Sequence, residues 1–300
     1  MKIVQSFWTK PFLSAGKGMP GSRLNGGWPE KKFNYYSWAL SCLQLRKYYS
    51  NIQLVTDDLG KELLVDKMQL PYTSVTTTLN QLDKYNSNLW AIGKILAYAG
   101  HHEPFLHVDG DIFIWRAFND RVASLNLVAQ NVESKIYRNN DLLTYVCNNF
   151  ASIPPYFSYA LDSTAPPLCI NAGIIGGVNH AFFDKYKSEV FRFIDANHDL
   201  IERNISNING EELAFLYEQI LFHALALHCD QEIGYLFPNI SEYPLNIGFF
   251  YGARFNQGYV HCIGSFKFNR ITCHILEMRL KEIYPSFYHR INDLLTKCEI

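Results

Sequence analysis

Short apolar runs alternate with longer stretches of helical spacing along the whole chain. Lys2 to Trp8 and Asn51 to Asp57 read as strands, and between them Phe33 to Tyr49 sets Tyr36, Leu40, Leu43 and Tyr48 at helical spacing. Lys61 to Met68 predicts a short helix, Tyr72 to Leu79 an edge strand, and Asn88 to Gly100 a helix closed by Gly100. Phe105 to Trp115 is an apolar strand that carries Asp109-Gly110-Asp111. Asn126 to Val132 and Leu168 to Val178 predict further strands, and Asn139 to Asn149 and Ala181 to Asp199 helices. Another helix opens at Glu211 and Glu212 and runs to His228, and Ile275 to Leu295 reads as one amphipathic helix. This alternation predicts an α/β fold in a single domain over residues 1–300, with a mostly parallel sheet and helices on both faces.

Polar residues at the strand ends carry the candidate chemistry. Residues i and i+2 of a strand share a face, so Asp109 and Asp111 can converge on one hard divalent cation. Two close carboxylates without a cation repel. Asp-Gly is also a common turn dipeptide, so the segment reads as a metal site or as a plain turn. Ser6, Trp8 and Thr9 stand at the carboxyl end of the first strand, where open α/β sheets bind ligands. Asp57 either bonds a ribose or base or caps the helix that follows. Lys94 either neutralises a carboxylate or phosphate or is a solvated helix lysine. Gly173, Gly176 and Gly177 let backbone approach a ligand or form a structural bulge. Glu211 and Glu212 favour the helix dipole, or one of them faces an acceptor as general base. The Ser14–Pro29 stretch, with Arg23 and Trp28, reads as a long loop over the sheet top or as an ordinary surface loop, and the proline-rich 151–167 stretch with Asp162 reads as an irregular segment over the cleft.

Composition narrows the classes. Across 300 residues the net charge is −1 with no basic stripe, which argues against nucleic acid as a partner. The seven cysteines lack Cys-X-X-Cys spacing and read as reduced thiols of a cytoplasmic protein. No apolar run reaches the roughly 18 residues of a membrane span, and Met1 to Trp8 lacks the pattern of a signal peptide. Peripheral association with a membrane surface is compatible with this pattern.

Three segments together carry a resemblance: Phe105 to Trp115 with Asp109-Gly-Asp111, Asn171-Ala-Gly-Ile-Ile-Gly-Gly177, and His261-Cys-Ile-Gly-Ser-Phe-Lys267. In this order they resemble the GT-A type nucleotide-sugar glycosyltransferases, above all glycosyltransferase family 8, the glycogenin and galactosyltransferase group. The chain is also similar to an uncharacterised bacterial family with a glycosyltransferase-like fold. The resemblance implies that Asp109, Asp111 and His261 hold manganese or magnesium, that Gly264 and Lys267 meet the diphosphate, and that Asn171, Ala172 and Gly173 line the donor sugar. It implies a nucleotide-sugar donor, UDP favoured, a glycan or glycolipid acceptor, and retention of anomeric configuration. Two departures stand out. The family continues after its lysine with Pro-Trp, where this chain has Phe268-Asn269. The family's Asp-Gln pair after the Asn-Ala-Gly strand is replaced by Asn209-Gly-Glu-Glu-Leu213. Two rival readings are a haloacid dehalogenase-like phosphohydrolase, because an apolar strand ending in Asp-Gly-Asp also opens that fold, and a non-catalytic binding protein.

Overall fold

Gln5 is the one fully buried polar residue of the first strand. A computed structural model describes residues 1–14, 24–133, 137–157, 168–204, 213–237, 248, 250 and 258–300. Its strands in chain order are β1 (Lys2–Phe7), β2 (Ile52–Thr56), β3 (Ser74–Thr76), β4 (Phe105–Val108), β5 (Ile112–Ile114), β6 (Leu127–Ala129), β7 (Val132–Glu133), β8 (Cys169–Ile170), β9 (Ile174–Gly177), β10 (Ile233–Tyr235) and β11 (Tyr259–His261). The α-helices are α1 (Thr9–Ser14), α2 (Lys31–Tyr48), α3 (Asp58–Lys61), α4 (Ile92–Ala97), α5 (Tyr137–Asn149), α6 (His180–Ala196), α7 (His198–Asn204), α8 (Leu221–His228), α9 (Arg270–Ile283) and α10 (Pro285–Thr296). The fold is α/β, with a main sheet of seven mostly parallel strands and flanking helices. The chain divides into two compact units, Met1–Asp83 with Val108–Phe118 and Ser241–Ile300, and Lys84–His107 with Asn119–Ile240.

In the first unit β1, β2 and β3 run parallel, with Ile3 opposite Ile52 and Gln53 opposite Ser74. α2 lies among the buried side chains of this unit: Tyr35, Tyr36 and Leu40 share one apolar cluster with Leu54, Phe113, Leu276 and Ile291. Arg46 and Lys47 fill its last turn, where cations suit the helix dipole. The predicted 275–295 helix is two helices. Tyr284, held at φ −133° ahead of Pro285, leaves helical geometry and separates α9 from α10.

In the second unit β6 pairs antiparallel with β9 and parallel with β10, and β7 pairs antiparallel with β8. The predicted 168–178 strand is therefore broken at Asn171-Ala-Gly173 into β8 and β9. Gly176 and Gly177 press against protein backbone: a Cβ on either would collide with the carbonyl oxygen of Phe105 or Asn126. The close approach these glycines permit is strand to strand. Phe182, Tyr186 and Phe222 pack edge to face beneath, with ring centroids 5.2 Å apart in both pairs to Phe222. Before α8 the helix widens into a π-helical turn over Phe215–Ile220.

A candidate metal centre

The predicted 105–115 strand is interrupted. β4 ends at Val108, and the amide of Ile112 donates to the carbonyl of Asp109 at 3.1 Å, closing a turn around Gly110. β5 then pairs antiparallel with β11, and the register sets His261 opposite Ile112. The amide of Cys262 donates to the Asp111 carbonyl at 3.1 Å. A turn that projects two carboxylates is thus stitched to a strand that ends in a histidine.

The outcome is a cluster in which one ligand atom from each of Asp109, Asp111 and His261 lies within 4.8 Å of the others. Nε2 of His261 stands 3.4 Å from Oδ1 of Asp111, and that buried oxygen has no hydrogen-bond partner among the described residues. Nζ of Lys267 sits 2.7 Å from Oδ2 of Asp111. Burial works to raise the Asp111 carboxyl, but the Lys267 ammonium and His261 outweigh it and hold the group well below the usual carboxylate range. Lys267 also donates to the carbonyl of Gly26 at 3.0 Å and lies over the Trp28 ring. Gly264 is exposed and left-handed, with φ +48° and open space around its Cα.

The cluster fits a divalent cation. Two ligands of one small hard cation, each about 2.1 Å from it, stand roughly 3 Å apart when adjacent and about 4.2 Å when opposite. The observed separations need only a small closure. Two carboxylates and an imidazole are donor types that divalent cations take. A buried carboxylate oxygen without a donor is the vacancy in hydrogen bonding that a cation fills.

The other predicted residues fall in two places. In the first unit, the Asp57 carboxylate is engaged within the protein. Oδ2 accepts from the amide and hydroxyl of Thr9 at 2.8 and 2.7 Å, and Oδ1 accepts from the amide of Gly60 at 2.8 Å. Asp57 therefore caps α3 and ties down α1, which matches its capping reading. Trp8 is buried beside Thr9, and Ser6 is half-buried.

In the second unit the structure gathers Lys94, Asn171, Ala172 and Gly173. Nζ of Lys94 donates to the Ala172 carbonyl at 3.1 Å, and Oδ1 of Asn171 accepts from the Gly173 amide at 3.0 Å. Nδ2 of Asn171 donates to Glu133 at 2.7 Å. A residue that sequence reasoning missed completes this group. Glu218, 1% exposed on the π-helical turn, takes Nζ of Lys94 at 2.7 Å. Its neighbour Gln219 is buried too. The signal was present as two adjacent polar residues, Glu218 and Gln219, inside the mostly apolar Leu213–Leu227 stretch. Glu211 and Glu212 lie outside the described residues, as do Arg23 and Asp162.

A model of one protein family covers residues 1–294. The chain belongs to that family, described as "Family of unknown function (DUF6734)". No curated protein matched the chain. Three solved structures resemble it distantly. The glycosyltransferase GlyE of Streptococcus pneumoniae TIGR4 is 11% identical over 99% of this chain, with a TM-score of 0.40. This chain spans 63% of GlyE's length. Mouse xyloside xylosyltransferase 1 is 11% identical over 78% of this chain and 84% of its own, with a TM-score of 0.38. The bifunctional glycosyltransferase WbbM is 12% identical over 87% of this chain and 45% of its own, with a TM-score of 0.42. Among the described residues, no helix is long and apolar enough to cross a membrane.

Proposed function

We propose that the chain is a divalent-metal-dependent glycosyltransferase. In this reading residues 1–300 form one cytoplasmic domain of the GT-A type. It moves a sugar from a nucleotide-diphosphate sugar, UDP-sugar favoured, to a hydroxyl of a glycan or glycolipid, with retention of configuration. One observation carries the reading: the convergence of Asp109, Asp111 and His261, with Lys267 at 2.7 Å from Asp111. Three ligands from two segments at least 150 residues apart converge, one of them through a buried oxygen of Asp111, and a plain turn requires no such meeting.

Asp109, Asp111 and His261 would hold manganese or magnesium, which when bound supplies positive charge for a leaving diphosphate. The protein's own groups do the rest. Lys267, already aimed at the cluster by Gly26 and Trp28, would pair with a phosphate oxygen. Gly264 keeps open space around its backbone, so a diphosphate can approach without meeting a side chain. Asn171, Ala172 and Gly173 would line the donor sugar, and Lys94, paired with Glu218, holds the Ala172 carbonyl.

Thermal unfolding with a panel of nucleoside diphosphates and nucleotide sugars, with and without manganese, tests this. A ligand that binds only the native state stabilises it by about 2.7 kcal/mol at a hundredfold excess over its dissociation constant. The expected outcome is a manganese-dependent rise in Tm with one diphosphate, lost in Asp111→Asn. No rise with any ligand in well-folded protein would overturn the reading.

A further inference from the structure

α2 carries a buried polar stripe. Asn34, Ser37, Ser41 and Gln44 recur at helical spacing, and all four are buried in a helix whose other buried positions are aromatic, aliphatic or, at Cys42, a thiol. Buried polar side chains are kept where they satisfy a specific partner, since an unsatisfied one is destabilising. For two of the four the partner is the Asp-Gly-Asp turn. Oγ of Ser37 donates to the Gly110 carbonyl at 2.8 Å. Oγ of Ser41 reaches the Asp109 carbonyl at 3.4 Å and accepts from Nε2 of Gln5 at 2.9 Å. Gln5 is in turn fixed by the hydroxyl of Tyr72, which donates to Oε1 at 2.9 Å.

Trp38 lies between the two serines in sequence, and its indole supports the turn. A Cβ on Gly110 would stand only 2.7 Å from the ring, so the glycine rests directly on it. The ring also packs on Phe7, centroid to centroid 5.1 Å. The turn is therefore gripped through its backbone: two carbonyls are drawn to α2 and the glycine is seated on an indole. The carboxylates of Asp109 and Asp111 are the groups that this grip leaves to converge with His261.

We infer that Ser37 is a positioning residue for the metal ligands, with Ser41 and Trp38 as its supports, so that α2 sets the separation of the two carboxylates. This rests on the proposed metal-dependent reading. Groups that orient ligands without touching the metal typically change metal affinity by 10–100-fold when removed.

The test is manganese titration of the full chain, followed by calorimetry, on wild type, Ser37→Ala, Ser37→Thr and Ser41→Ala, with urea unfolding of each without metal. Ser37→Ala is expected to bind manganese at least tenfold more weakly while its unfolding midpoint stays near that of wild type. Ser37→Thr, which keeps the hydroxyl, is expected to restore affinity. Ser41→Ala, which loses the longer contact, is expected to fall between them, and it carries the test if Ser37→Ala does not fold. Wild-type affinity in Ser37→Ala, or in Ser41→Ala where that variant stands in, overturns the inference and leaves the metal reading intact. A wild-type chain that binds no manganese overturns the metal reading and this inference with it.

Discussion

The two units each enclose a cluster of charge, and the clusters are built on opposite terms. In the first unit, two carboxylates, Asp109 and Asp111, lie within 4.8 Å of His261, Lys267 pairs with Asp111, and Oδ1 of Asp111 is buried without a hydrogen bond among the described residues. In the second, Lys94 and Glu218 match one to one. Glu218 also receives the Tyr98 hydroxyl at 3.4 Å, and Tyr186 donates to the Glu218 carbonyl at 2.7 Å. Lys94 adds a bond to the Ala172 carbonyl. Burial alone does not mark a functional centre, because both clusters are buried. The difference is balance. A salt bridge in which each charge answers the other holds a fold together, whereas two neighbouring carboxylates, one with a buried oxygen that no described residue hydrogen-bonds, ask for a cation.

The largest effect that separates the two comes from breaking the answered pair. Glu218→Ala leaves the Lys94 ammonium, 12% exposed, without its carboxylate. Stability is expected to fall by about 3–5 kcal/mol, the usual range when one partner of a buried pair is removed. Urea unfolding measures it. The double variant Lys94→Met with Glu218→Leu is expected to recover most of the loss, since apolar replacement of a whole pair is often neutral. A loss below about 1 kcal/mol in Glu218→Ala would mean that the pair is solvated and that the contrast between the clusters is false.

The sequence made one cluster legible and hid the other. Asp109, Asp111, His261 and Lys267 were readable because two short motifs hold them at fixed local spacing, and the β5–β11 register then joins the motifs. Glu218 belongs to no motif. Glu211 and Glu212, just upstream, are the acidic residues that fit a helix-start pattern. The widened turn at Phe215–Ile220 that turns Glu218 toward Lys94 has no mark in a single sequence. The polar stripe of α2 was likewise masked by the aromatics around it. Breaks were harder to read than elements: the strand through Asp109 divides because its two halves pair in different sheets, and tertiary pairing is not encoded in local periodicity. The break before Pro285 has a local cause, yet the amphipathic pattern runs across it and predicts one helix.

A middle-sized effect probes the second cluster by pH. Burial pushes the His107 imidazole well below its ordinary value of 6.5, and the charges of Lys94 and His101 push the same way. The folded chain therefore keeps His107 neutral where the unfolded chain protonates it. Stability is complete above pH 6.5 and declines as pH falls below it, by up to about 1.4 kcal/mol per pH unit for this group. His223, also lowered by burial, adds a slope of the same sign. His107→Gln is expected to flatten the decline between pH 6.5 and 5 by one proton's share, read from urea midpoints across that range. An unchanged slope would show His107 charged in the fold, and the cluster could then no longer be described as one cation matched to one anion.

The smallest effect is the one on which the contrast finally depends. Asp109→Asn removes one of two neighbouring carboxylates, and relieving that repulsion offsets whatever contacts the side chain makes in the fold. Without metal, stability is expected to change by less than about 1 kcal/mol, and upward if at all. Residues kept for binding are often poorly placed for stability, so their removal is mild. The manganese-dependent rise in Tm should vanish in the same variant. The two readings together are decisive in a way that neither is alone. A mild change in stability with lost metal response is the behaviour of a binding site. A loss as large as that of Glu218→Ala would make Asp109 a structural residue, and the two clusters would then be two versions of one thing.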